Sequence, residues 1–231
     1  MKAPIRIVAA TDLSAPARHA VERAFHLAKQ SGGELHILHA LELDALDSLK
    51  ELIGASLSST KDALDADARQ RLMQLTGDLT RKHGFNAQWR VVPGNPRTAV
   101  MSEADVLDAG MLVLGARGAS FLRRTMLGST STRLLRKSIR RPVLVVKRPP
   151  YEGYRNVLVA VDFSPVSLHL IQAAKQWAAR AELFLCHAFE LPFEGMLWRA
   201  GIDKEQIAPL IGGGKSQNDV SSFLSLRLRQ D

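Results

Sequence analysis

Apolar positions run along this chain in two rhythms, short unbroken blocks and longer stretches spaced for a helix. Ile5 to Thr11 is a nearly continuous apolar run of strand length, the pattern of a strand buried on both faces of a parallel sheet. Ser14 then offers an N-cap, Pro16 suits the first helical turn, and Ala17 to Gln30 has helical composition up to the Gly32-Gly33 stop. Leu35 to Ala40 predicts a second strand. Asp62 to His83 predicts a long amphipathic helix ended by Gly84, and Asn86 to Val92 a third strand. Pro96 to Leu107 reads as helix, Met111 to Leu114 as a short strand, Ser129 to Ser138 as helix, and Pro142 to Val146 as a closing strand. Strands alternating with helices predict a doubly wound parallel α/β sheet with right-handed crossovers. In such sheets the ligand crevice lies beyond the carboxyl ends of the strands.

The chain then repeats itself. Ile7-Val8-Ala9-Ala10-Thr11-Asp12-Leu13-Ser14 returns as Val157-Leu158-Val159-Ala160-Val161-Asp162-Phe163-Ser164, at an offset of 150 residues. Glu34-Leu35-His36-Ile37-Leu38-His39-Ala40-Leu41-Glu42 returns as Glu182-Leu183-Phe184-Leu185-Cys186-His187-Ala188-Phe189-Glu190, at an offset of 148. Pro149-Pro150 and Gly153 make a plausible join, because both residue types interrupt helix and ladder. The division expected is a domain over 1–148, an incomplete second copy over 153–210, and an irregular tail over 211–231 with a short apolar turn near Phe223 to Leu228. The second copy retains Asp162, a helix from Pro165 to Arg180 and a strand from Leu183 to Ala188, but has no counterpart of the glycine loop described below. It is therefore not expected to hold a ligand of its own, and two strands and a helix must dock on another surface to cover their faces.

Composition narrows the class without naming the chemistry. Hydrophobic residues make up 46% and charged residues 23% of 231, which is globular usage and excludes a disordered or collagenous chain. A single cysteine, Cys186, excludes an internal disulfide and a cysteine zinc cage, and no apolar run approaches the roughly 20 residues of a membrane span. A soluble, cytoplasmic protein is expected. The net charge of +8 suggests a polyanionic partner, so its position matters.

That charge gathers around one segment. From Met111 to Pro150 there is no Asp or Glu, while Arg117, Arg123, Arg124, Arg133, Arg136, Lys137, Arg140, Arg141, Lys147 and Arg148 all fall there. Within it, Gly115-Ala116-Arg117-Gly118 is followed after nine residues by Gly128-Ser129-Thr130, directly after a predicted strand and before a predicted helix. Spaced glycines let backbone amides approach phosphate oxygens, and a helix start turns free N–H groups toward an anion. Ser129 and Thr130 add hydroxyl donors. It is not a Walker loop, and Gly214-Lys215-Ser216 only imitates the ending of one, since Pro209 stands where the first glycine belongs. The bland alternative makes these glycines turns and the arginines a solvated face. Asp12 likewise has a bland alternative as a helix cap. His36 and His39 point to opposite faces of one strand and cannot share a metal, and no metal site is assigned.

Asp12 at the end of the first strand, the small-residue turn at Gly94-Asn95-Pro96, the G-x2-G-x9-G-[ST] loop and the closing Arg141-Pro142-Val143-Leu144-Val145-Val146 together resemble the universal stress protein family. The resemblance covers Ile5 to Lys147, resumes at Asn156 and fades after Glu190. It implies a five-stranded, Rossmann-like parallel sheet of the adenine-nucleotide-binding kind, followed here by an incomplete second copy. Members with the full glycine pattern bind ATP, so ATP, alone or with magnesium, is the implied ligand. By the same resemblance Asp12 lies against the adenosine, with Ala10 and Thr11 at its strand end, and the backbone at Ala40 faces the adenine edge. Leu114, Gly115, Arg117 and Gly118 lie near the ribose and phosphates, and Gly128, Ser129 and Thr130 hold the phosphate tail. Ala109-Gly110 stands where the family usually has Ala-Asp, a departure in a structural position.

The function this implies is a nucleotide-responsive regulatory module in stress survival, paired as a homodimer through the closing strand. No catalytic residue is assigned, since no general base or acidic pair for magnesium accompanies the loop, and hydrolysis is expected to be slow at most. Three alternatives remain. One is a protein-interaction module of the same family that binds no nucleotide. A second is a basic nucleic-acid-binding protein, although no recognition helix, zinc module or aromatic stacking set is visible. The third is an adenylating enzyme, which would need S-G-G-x-D-S directly after the first strand, where this chain has Thr11-Asp12-Leu13-Ser14.

Overall fold

Within the described residues the unbroken apolar blocks of the first copy are strands, and the stretches read as helix over 17–30, 62–83 and 96–107 are helices. The computed structural model describes residues 5–42, 58–116, 131–134, 141–189 and 222–228. In chain order the first unit contains β1 (Arg6–Ala10), α1 (Ala15–Ser31), β2 (Glu34–Leu41), α2 (Ser58–His83), β3 (Gln88–Pro93), α3 (Pro96–Val106), β4 (Met111–Gly115) and β5 (Val143–Val146). The second contains β6 (Asn156–Ala160), α4 (Pro165–Trp177), β7 (Glu182–Phe189) and β8 (Ser222–Leu228). The units divide between Glu152 and Gly153, inside the predicted join.

The first unit is a five-stranded sheet in the order β3-β2-β1-β4-β5, parallel throughout. The doubly wound α/β expectation holds, and the sheet's switch point lies between β1 and β4. Val8 and Leu112 pair across these strands and point to one face, where Leu38, Val100, Ala104 and Leu134 complete a fully enclosed cluster. The opposite face carries Ile7, Ala9, Leu35, Ile37 and Val113, all buried, under α1 and α2. Burial on both faces explains why these strands read as unbroken apolar runs.

Local chemistry fixes where the elements begin and stop. Ser14 is the N-cap of α1, its hydroxyl accepting from the Ala17 amide, and Gly32 ends the helix in the left-handed region at φ 65°. The next residue must also be glycine. A Cβ at Gly33 would lie 2.3 Å from the Ile5 carbonyl oxygen, the same oxygen that accepts the Glu34 amide at 2.9 Å where β2 joins β1. Asn95 caps α3 by accepting from the Arg97 amide, and Pro96 opens it.

In the second unit β6 and β7 are parallel, as the repeat requires, whereas β8 pairs antiparallel with β7, Leu183 opposite Leu228 and Phe189 opposite Ser222. This corrects the irregular tail and apolar turn expected here. Leu224, Leu226 and Leu228 stand at every second position in the sequence, the signature of a strand, although the stretch is short and isolated beyond a glycine-rich segment. The helix α4 also ends at Trp177 rather than Arg180, because Ala178 leaves helical geometry at φ −135° and the Ala181 amide turns back to the Ala178 carbonyl. Leu158, Phe163, Val166, Leu168 and Leu170 remain exposed. Among the described residues no helix is long and apolar enough to cross a membrane.

Candidate functional site

The carboxyl ends of β1, β2 and β4 meet at one rim of the sheet. Ala10 pairs with Leu38 on one side and Leu114 on the other, and Ala40 lies two residues beyond Leu38 along β2. Six of the sequence-predicted residues, Ala10, Thr11, Asp12, Ala40, Leu114 and Gly115, therefore belong to neighbouring strand ends on both sides of the switch point. Arg117, Gly118, Gly128, Ser129 and Thr130 lie outside the described residues.

The turn after β1 is tightly specified. Thr11 is buried, its amide donates to the Leu38 carbonyl at 2.9 Å, and its carbonyl oxygen lies 2.9 Å from His39 Nδ1. Thr11 Oγ1 accepts the Leu13 amide at 3.0 Å, and Asp12 Oδ1 accepts both the amide and the hydroxyl of Ser14. These bonds hold Leu13 at φ 62°, a left-handed conformation that costs a branched residue about 1–3 kcal/mol. The cap of α1 is thus Ser14, with Asp12 orienting Ser14 from behind and keeping its own carboxylate exposed at the rim. His39 is a hydrogen-bonding strut for the turn.

Further contacts complete the support, one of them from a side chain not singled out in the sequence. Ser131 is buried and its hydroxyl donates to the Gly115 carbonyl at 2.7 Å, tying the start of the 131–134 helical turn to the end of β4. The signal was present in the Gly128-Ser129-Thr130-Ser131 run, where a third hydroxyl follows the two expected to meet a ligand. Beside it the Ala116 amide donates to the Val146 carbonyl at 2.8 Å, so β4 leaves the sheet with its backbone satisfied up to the glycine segment. On the β2 side, the Gly94 amide donates to the Leu41 carbonyl at 3.0 Å, and its φ of 107° is open only to glycine without strain. Arg141 pairs with Asp105 and is nearly buried, so at least one of the clustered basic residues serves the fold.

The second unit reproduces the turn. Phe163 repeats Leu13 at φ 61°, the Val161 amide donates to the Cys186 carbonyl, and His187 Nδ1 lies 2.7 Å from the Val161 carbonyl oxygen. Asp162 accepts from the Ser164 hydroxyl, from the Ser167 hydroxyl and from the Ser164 amide, which hold its carboxyl down at about 2. The folded value lies below the ordinary 3.8, so this carboxylate stabilises the turn above that pH, and the contribution is lost as pH falls toward about 2. Protection of the Ser164 amide, relative to its intrinsic exchange rate, is expected to hold down to pH 3.8 and to decline below it, while Asp162→Asn lowers it and makes it independent of pH. Equal protection in the two proteins would contradict this.

A parallel sheet of order β3-β2-β1-β4-β5, with its switch point between β1 and β4, defines a doubly wound α/β protein. The sequence profile described as the Universal stress protein family matches residues 5–147, and the chain belongs to that family. It is 25% identical over 147 residues to a universal stress protein of Methanocaldococcus jannaschii, covering 64% of this chain and 84% of that one. It is 26% identical over 147 residues to the universal stress protein YxiE of Bacillus subtilis, covering 62% and 98%. The crystal structure of a universal stress protein from Archaeoglobus fulgidus aligns at TM-score 0.61 and 22% identity over 90% of this chain and 74% of that one, a likeness of fold that extends past the first unit.

Proposed function

We propose that the first unit binds ATP at the β1–β4 rim and that the chain acts as a nucleotide-responsive regulatory module in stress survival. One observation carries the reading: Ala10, Ala40 and Leu114 stand at the carboxyl ends of three adjacent strands around the switch point, and the glycine segment follows β4 directly in sequence. In this reading Thr11, whose backbone groups are already bonded, shapes the floor, and Asp12 presents its carboxylate to the adenosine. The backbone at Ala40 faces the adenine edge. Leu114, Gly115, Arg117 and Gly118 flank the ribose and phosphates, and Gly128, Ser129 and Thr130 hold the phosphate tail, with magnesium entering on the nucleotide. Hydrolysis is slow at most, and the site is cytoplasmic. Calorimetric titration of nucleotide-stripped protein with ATP tests it: saturation at one nucleotide per chain is expected, and absence of saturable binding contradicts it.

We also infer a homodimer. The edge strand β5 is Val143-Leu144-Val145-Val146, three of its four residues are only partly covered, and an apolar edge favours pairing with a second copy. Light scattering at micromolar concentration is expected to give the mass of two chains, and the mass of one chain contradicts the inference.

A further inference from the structure

At the opposite edge of the sheet from the rim, where α2 ends and β3 begins, a second cluster of chemically competent side chains is assembled. Glu22 and His26 are one turn apart on α1 and share a face, and His83 is the last residue of α2. One donor atom from each of the three lies within 4.8 Å of the other two. The His26 and His83 rings meet edge to face with centroids 4.7 Å apart, and Phe25 stacks on His83 from the other side at 5.5 Å.

The independent observation is an unsatisfied atom. His83 Nε2 is buried and has no hydrogen-bond partner, its side chain is only 9% exposed, and it lies 3.7 Å from Glu22 Oε1. A buried polar nitrogen left without a partner is rare in folded proteins and calls for an occupant. Water would serve one nitrogen. A cation would serve His83, His26 and Glu22 together. We propose that Glu22, His26 and His83 form a binding site for one divalent transition-metal ion of the zinc type, separate from the nucleotide rim.

Two imidazoles and one carboxylate match zinc's preference, with the fourth position left to water. Glu22 is held by Lys82, whose side chain is 63% exposed and can swing into water when a metal takes the carboxylate. Donor atoms around a tetrahedral zinc sit roughly 3.3–3.6 Å apart for bonds of about 2.0–2.2 Å, and the Glu22–His83 pair at 3.7 Å already stands near that spacing.

The test uses the full chain after treatment with a chelator, titrated with zinc by calorimetry and with cobalt as a visible-absorption probe. One ion per chain is expected, with cobalt ligand-field bands, and zinc raises the unfolding temperature. Glu22→Gln, His26→Gln and His83→Gln should each weaken zinc binding by roughly 10–100-fold or more, while His169→Gln, on an exposed part of α4, leaves it unchanged. Should His83→Gln fail to fold, the half-buried Glu22 and His26 variants carry the test. Absence of saturation at one ion per chain, or zinc affinity unchanged in a folded Glu22→Gln or His26→Gln protein, overturns the proposal. ATP binding is measured separately, so either site can fail without the other.

Discussion

Gly118→Arg protein is expected to bind ATP at least about 100-fold more weakly than the parent, a loss of about 2.8 kcal/mol at 1.4 kcal/mol per tenfold. The glycine stands three residues after the end of β4 in sequence, and in the proposed site its lack of a side chain is what lets backbone amides approach a phosphate. Arginine there adds a positive charge, which should strengthen anion binding if charge alone governed it. Steric exclusion predicts the reverse, so the sign of the change separates a shaped cradle from a merely basic surface. Asp12→Ala should weaken binding by about tenfold, the scale of one hydrogen bond from a charged group, and should also loosen the α1 cap by freeing Ser14. Asp162→Ala, in the copy that lacks a glycine loop, is expected to leave ATP affinity unchanged.

The second large effect concerns the platform beneath the rim. Leu112→Ala is expected to destabilise the first unit by roughly 2–5 kcal/mol, through lost transfer energy and the cavity left behind. Leu112 is fully buried in β4, paired to β1 on one side and β5 on the other, and packed in the cluster with Val8, Leu38 and Leu134. Against a total stability of about 5–15 kcal/mol this is a large fraction. The unfolding temperature should fall by roughly 4–20 °C, at about 2–4 °C per kcal/mol for a unit of this size. Leu64→Ala, at a position 40% exposed on α2, should change stability by no more than about 0.5 kcal/mol. Equal effects at the two positions would mean that the buried cluster is not what holds the sheet.

The first unit was legible because its central strands β1, β2 and β4 are buried on both faces and its helices are punctuated by Ser14, Gly32, Asn95 and Pro96, whose roles are local. Element boundaries differ from those expected by a few residues at most, the largest being α2, which starts at Ser58 rather than Asp62. The predicted helix over 129–138 overlaps the helical turn at 131–134, and the rest of it lies outside the described residues. The strand β8 was not legible, because its partner β7 stands more than thirty residues earlier and the pairing direction is antiparallel, unlike anything in the first copy.

Site residues divide in the same way. The shared rim of Ala10, Ala40 and Leu114 was legible because chain order alone brings parallel strand ends together. The left-handed turn at Leu13 could not, since a branched apolar residue gives no sign of positive φ; it is imposed by Thr11 Oγ1, Asp12 and the start of α1. Its repetition at Phe163 means the geometry belongs to the repeated Asp-x-Ser segment and not to the ligand alone. Glu22, His26 and His83 escaped sequence reading because their proximity depends on how α2 returns against α1, with a long sequence interval between the two histidines.

The most direct test of the central claim is mass spectrometry of the small molecules released when freshly purified protein is denatured. ATP or ADP approaching one per chain, absent from Gly118→Arg protein prepared in the same way, is the result expected. A parent protein that releases no nucleotide, and that takes up none when ATP and magnesium are supplied, would contradict nucleotide binding at the β1–β4 rim.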